Sequence, residues 1–146
     1  MDDFAQVEIL LVEDTATDAE MTIRALRRRG LANRLIWVRD GGEALDFLFR
    51  QGPYSGRDSS RPKLILLDVK MPKVDGIDVL RRIMGEESLR ATPVVMLTSS
   101  AEERDLVESY RLGANSYIVK PVDSEEFDRV VSDIGMYWML VNKLPA

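Results

Sequence analysis

Short unbroken apolar runs alternate with helical periodicity along the whole chain. Glu8–Val12, Leu35–Val38, Leu64–Leu67, Val94–Leu97 and Ser116–Val119 lack the polar alternation of a half-exposed strand. They read as strands buried on both faces, the pattern of a parallel sheet. Between them the apolar positions recur at helical spacing. Met21, Ile23 and Leu26 mark a first helix, with Thr15 or Thr17 as its cap and Arg27-Arg28-Arg29-Gly30 as its end. Asp40-Gly41-Gly42 opens a second helix, with Ala44, Leu45, Phe47 and Leu48 as its buried side. A third runs from Gly76 to about Met84. Ser100 with Glu103, and Asp123 with Glu126, form capping boxes for two more. The fourth helix carries Leu106, Val107 and Tyr110 and closes at Gly113.

Five strands alternating with five helices predict an α/β fold with right-handed crossovers. The expected class is a flavodoxin-like, doubly wound (βα)5 three-layer sandwich, with parallel strand order 2-1-3-4-5. One connection is long for this architecture, the turn-rich stretch Gly52–Pro62. A tolerated insertion is the favoured reading of it over a partner-binding loop.

Composition narrows the chemistry. The 146 residues fit one domain. A net charge of −5 gives no electrostatic case for nucleic acid or an anionic membrane. No apolar run approaches a membrane span, and Met1-Asp2-Asp3-Phe4 does not resemble a signal sequence, so the cytoplasm is the expected location. There is no Cys and no His. Thiol nucleophiles, Ser-His-Asp triads, His-ligated zinc and a phosphohistidine on this chain are therefore excluded. Carboxylates, Lys, hydroxyls, backbone amides and oxygen-bound cations remain.

These groups collect at the strand ends. The first strand runs into Glu13-Asp14, the third into Asp68, the fourth into Thr98 and the fifth into Lys120. In the expected strand order all of them reach the carboxyl edge, where such sheets place their sites. Three carboxylates there repel unless a hard cation such as Mg2+ joins them. Lys120 and Thr98 suit the oxygens of a phosphoryl group, with Asp68 as nucleophile.

With these motifs the chain resembles the receiver domains of two-component response regulators. The resemblance rests on Leu11-Val12-Glu13-Asp14, on Leu66-Leu67-Asp68 with Met71-Pro72 and Asp75-Gly76, on Leu97-Thr98-Ser99-Ser100, on Gly113-Ala114 and on Lys120-Pro121. It implies a single receiver over residues 1–146, with an extension at about 142–146. Asp68 would be phosphorylated by a histidine kinase. Mg2+ would be held by Glu13, Asp14, Asp68 and the backbone carbonyl of Lys70, with Asp14 the more direct ligand of the acidic pair. Thr98 and Lys120 would contact the phosphoryl oxygens. Tyr117 would be the switch aromatic, with the small Ser99 leaving room for its ring to turn. Such a protein is a phosphoacceptor rather than an enzyme, with at most self-directed phosphotransfer and dephosphorylation.

Output would pass through protein contacts. On the last helix, Phe127, Val130, Val131, Ile134, Trp138 and Val141 share the face expected to pack on the sheet. Met136, Met139 and Leu140 fall largely opposite and are expected to form an apolar partner surface. The ending Met136–Ala146 and the long loop before the third strand resemble the small response regulators that serve bacterial phytochromes. That likeness implies a phytochrome kinase as donor and a homodimer through the fourth helix, fifth strand and fifth helix. A phosphate relay or sink without direct output, and a Mg2+-dependent phosphohydrolase with an Asp nucleophile, stand as alternatives. A phosphohydrolase typically needs a second acid just after the nucleophile, where this chain has Lys70.

Overall fold

The computed structural model describes residues 7–57, 60–71, 73–98, 103–120 and 124–141. Pro72, Ser99, Ser100, Pro121, Asp123 and the expected extension at 142–146 lie outside them. Strands and helices alternate as β1 (Ile9–Val12), α1 (Ala16–Arg28), β2 (Leu35–Val38), α2 (Gly41–Phe49), β3 (Leu64–Leu67), α3 (Gly76–Met84), β4 (Val94–Thr98), α4 (Glu103–Leu112), β5 (Ser116–Val119) and α5 (Ser124–Met136). The five strands form one parallel sheet in the order β2-β1-β3-β4-β5. Among the described residues, no helix is long and apolar enough to cross a membrane.

Alternation along the strands divides the core into two layers. Leu10, Val12, Ile65, Leu67, Val94 and Met96 pack on one face, under α2 and α3. Ile9, Leu11, Leu64, Leu66, Val95 and Leu97 pack on the other, under α1 and α5. Both faces of β1 and β3 are buried, which is why their sequences are unbroken apolar runs.

The long connection after α2 is anchored to the domain. Gly52–Tyr54 form a 3-10 turn. The Tyr54 hydroxyl donates to Glu43 at 2.9 Å, and its ring meets Phe47 edge-on. Arg57 is buried, its guanidinium carbon 4.0 Å from the Phe47 ring centre, and its Nε donates to the Phe47 carbonyl at 2.9 Å.

The far end of the chain differs from the one-faced expectation. Phe127 and Val131 are buried against the sheet, with Ile134 and Trp138 beside them. Met136 and Met139, expected on an exposed face, are half-buried, each packing in part against this same layer. The reason is that α5 is covered on two sides, by the sheet and by α1. Its α1-facing row includes Asp128, which pairs with Arg28 at 2.6 Å, and Ser132, which donates to the Ala25 carbonyl at 3.2 Å. Gly135 lies in the same row, so close that a Cβ there would stand 2.6 Å from Leu26 Cδ2. A π-helical turn, Tyr137–Val141, follows α5. Leu140 remains exposed, as expected, together with Tyr137. Leu106, Val107 and Tyr110 of α4 and Val119 of β5 are exposed as well.

Candidate functional site

Strand register brings the predicted residues together. Val12 pairs with Leu67, so Glu13 and Asp68 leave their neighbouring strands side by side. The Asp68 N–H donates to the Val12 carbonyl at 3.0 Å, holding the two ends together. On the other flank Thr98 pairs with Val119, and the Lys120 N–H donates to the Thr98 carbonyl at 2.7 Å. Carboxylate oxygens of Glu13, Asp14 and Asp68 all lie within 4.8 Å of one another. Lys120 enters from β5. Its ammonium contacts Glu13, donates to Asp18 at 2.9 Å and stands 3.8 Å from Asp68 Oδ2.

The electrostatics of this cluster are unbalanced. Glu13 is 2% exposed. Burial pushes its carboxyl up to about 8, and Asp68 beside it adds to the rise by hydrogen bonding and repulsion, while Lys120 pulls the other way. Burial works against the Lys120 ammonium. The hydrogen bonds to Glu13 and Asp18 and the charges of Asp68 and Glu13 outweigh it, so Lys120 is held above its usual range. Asp68 is also buried, and its Oδ1 has no hydrogen-bond partner. A buried, unpartnered carboxylate oxygen is costly. Three converging acids, one pushed toward its neutral form chiefly by burial and one with an orphaned oxygen, are a donor set that fits a hard divalent cation. Asp14 is exposed, which leaves the set open to solvent on its side.

The surrounding backbone is shaped to hold this arrangement. Gly76 opens α3 directly against the acceptor strand end, where a Cβ would stand 1.9 Å from the Asp68 carbonyl oxygen. Its N–H donates to the Val69 carbonyl at 2.7 Å, and Asp75 caps α3 by accepting from the Asp78 N–H at 3.1 Å. The pairing of Asp75 with Gly76 therefore has a local cause. In the same loop Lys73 adopts φ 68, a left-handed conformation that is unfavourable for a residue with a Cβ.

Thr98 is fully buried as the last residue of β4. The Tyr117 ring is buried in the α2–α3 layer, and the Tyr117 N–H donates to the Tyr110 hydroxyl at 3.1 Å. That bond joins the aromatic of β5 to the exposed side of α4. Ser99 lies outside the described residues.

Three contributors escaped the sequence reading. Asp18 reads as an ordinary first-turn acid of α1, yet it holds Lys120. Trp37 reads as strand apolarity, yet its indole N–H donates to the Glu13 carbonyl at 2.8 Å. Asp105 is buried at 7% exposure and pairs with the Lys70 ammonium at 3.4 Å, linking the loop after Asp68 to α4. The one legible signal was an acid in the first turn of α1, close in sequence to Glu13 and Asp14.

Comparison with known proteins agrees with this geometry. The model of the response regulator receiver domain matches residues 9–134, and the chain belongs to that family. It is 44% identical over 138 residues to the probable methanogenesis regulatory protein FilR2 of Methanothrix harundinacea, covering 94% of this chain and 87% of that one. It is 40% identical to response regulator Rcp1 of Synechocystis, over 94% of this chain and 92% of that one. Among solved structures, the phosphorylated cyanobacterial phytochrome response regulator RcpA superposes with a TM-score of 0.88 at 37% identity, over 97% of this chain and 100% of that one. The Mn2+-bound form of Rcp1 does so with a TM-score of 0.88 at 39% identity, over 97% and 100%. The bacteriophytochrome response regulator RtBRR is 49% identical, with a TM-score of 0.76, over 94% and 83%. The protein is thus a response-regulator receiver related to the phytochrome response regulators.

Proposed function

We propose that Asp68 accepts a phosphoryl group from the phosphohistidine of a histidine kinase, in the presence of Mg2+. One observation carries this reading above the others: the buried Asp68 carboxylate has an unpartnered oxygen inside the acid cluster, with the Lys120 ammonium 3.8 Å from its other oxygen. In the transfer an Asp68 oxygen forms a bond to phosphorus as the bond from phosphorus to the histidine nitrogen breaks. The electron pair of that bond leaves on the imidazole, and an acyl phosphate results.

Glu13, Asp14 and Asp68 would hold the cation, with the Lys70 carbonyl as a further ligand. Mg2+ would neutralise the acids and the incoming phosphoryl charge. Lys120 would donate to one phosphoryl oxygen and the Thr98 hydroxyl to another. That the related Rcp1 has a Mn2+-bound form supports a divalent ion for this chain as well.

The likeness to RcpA, Rcp1 and RtBRR supports a bacterial phytochrome as the kinase. Output would run through protein contacts, by way of Thr98, Ser99 and Tyr117. The exposed apolar residues Leu106, Val107, Tyr110, Val119 and Leu140 support a homodimer through α4, β5 and α5. A phosphohydrolase reading finds no support at position 70, where the side chain is a cation paired with Asp105. Phosphotransfer tests the proposal. Autophosphorylated kinases, bacteriophytochromes among them, should pass label to the wild type with Mg2+ and not to Asp68→Asn. Equal labelling of the two proteins would refute it.

A further inference from the structure

The Lys120 side chain is 8% exposed and held by two carboxylates from different elements. Glu13 comes from the turn after β1 and Asp18 from the first turn of α1, with Asp18 Oδ2 at 2.9 Å. Asp68 Oδ2 is farther away, at 3.8 Å, beyond hydrogen-bond length. An ammonium has three donors. Glu13 and Asp18 take two of them and leave one.

The two partners differ in a way that matters. Glu13 belongs to the acid cluster that fits a cation, whereas Asp18 does not. A cation that takes Glu13 competes directly with Lys120 for that carboxylate. Asp18 has no such second duty, and its main chain is fixed in α1, where the Thr22 hydroxyl donates to the Asp18 carbonyl at 2.8 Å. It would be the carboxylate left to hold Lys120 if a cation took Glu13.

We infer that Asp18 is a positioning residue for phosphoryl transfer. It tethers the Lys120 ammonium beside Asp68 rather than on it, so the acceptor oxygen keeps its lone pairs for attack. The remaining N–H of the ammonium is kept for an oxygen of the arriving phosphoryl group. This inference rests on Asp68 being the acceptor. A plain helix role, an acid favouring the amino end of α1, predicts something different: a small stability change and no link to Lys120.

A double-mutant cycle separates the two. Rates of phosphorylation by phosphoramidate at saturating Mg2+ are measured for the wild type, Asp18→Asn, Lys120→Ala and the double variant. Asp18→Asn is expected to slow the reaction by about tenfold, the scale of one hydrogen bond to a charged group, and to have less than about a twofold effect once Lys120 is gone. In parallel, hydrogen exchange of the Lys120 ammonium, followed by NMR in the metal-free protein, is expected to be faster in Asp18→Asn. Wild-type rates in Asp18→Asn, or an equal loss with and without Lys120, would overturn the assignment. So would an unchanged ammonium exchange rate. A wild type that takes up no phosphoryl group would overturn the acceptor reading itself, and is distinguished by the first measurement of the set.

Discussion

The indole N–H of Trp37 donates to the main-chain carbonyl of Glu13 at 2.8 Å. The Glu13 N–H in turn donates to the Val38 carbonyl at 3.1 Å. The residue with the buried acid is thus pinned through its backbone by β2, while its side chain faces Lys120 and Asp68. Arg39 covers the indole, with its guanidinium carbon 4.3 Å from the ring centre. Trp37→Phe keeps an aromatic ring for Arg39 but removes the donor. Losing one neutral hydrogen bond costs about 1 kcal/mol, so divalent-cation affinity is expected to fall by about fivefold. Calorimetric titration with Mg2+ measures it, and an unchanged affinity would count against the pinning role.

Glu13 makes the metal-free protein sensitive to alkali. Its carboxyl ordinarily titrates near 4.5 and is held up to about 8 in the fold. Between those values the folded state keeps a proton that the unfolded chain has released. The stability this contributes is complete below about 4.5 and is lost as the pH rises through about 8. Denaturation in chelator across that window should show wild-type stability falling with pH, and Glu13→Gln should flatten the slope. Cation binding displaces the same proton, so affinity should rise over the same range. A wild-type stability that rises across this window would contradict the assignment.

Gly76 has no room for a side chain. A Cβ would stand 1.9 Å from the Asp68 carbonyl oxygen and 2.8 Å from Val69 Cα, both backbone atoms that cannot swing aside. Gly76→Ala is expected to destabilise the fold by about 3 kcal/mol, at the upper end of what overpacking costs. It should also displace the loop that carries Asp68. Thermal melts give the first effect and cation titration the second. A variant with wild-type stability would mean that α3 moves away freely.

How much of this was legible in the sequence depended on the kind of signal. Buried parallel strands write themselves as apolar runs, so Leu64–Leu67 could be anticipated, while the strand order came from the expected flavodoxin-like class. Asp68, Glu13, Thr98 and Lys120 followed because strand ends on one edge must converge. The roles of Asp18, Trp37 and Asp105 were hidden, since each depends on a contact between elements distant in sequence. The same limit explains Met136 and Met139. Helical periodicity counts one buried face, whereas α5 is covered by both the sheet and α1. On α4, Leu106, Val107 and Tyr110 matched a helical apolar stripe yet are exposed.

That exposed stripe leads to a prediction about assembly. Val119 of β5, and Tyr137 and Leu140 of the π-helical turn after α5, are exposed apolar residues as well. Wild-type protein is expected to sediment as a dimer at high concentration, and Val107→Asp or Leu140→Asp as a monomer. Identical sedimentation of all three proteins would place the partner surface elsewhere.

The account stands or falls on Asp68. Intact-mass measurement after incubation with a small phosphodonor is the most direct test, made with and without Mg2+ on the wild type and on Asp68→Asn. The predicted result is one base-labile phosphoryl group on the wild type, dependent on Mg2+, mapping to the Asp68 peptide and absent from Asp68→Asn. A wild type that gains no phosphoryl group, or an Asp68→Asn that gains one as readily, would contradict it.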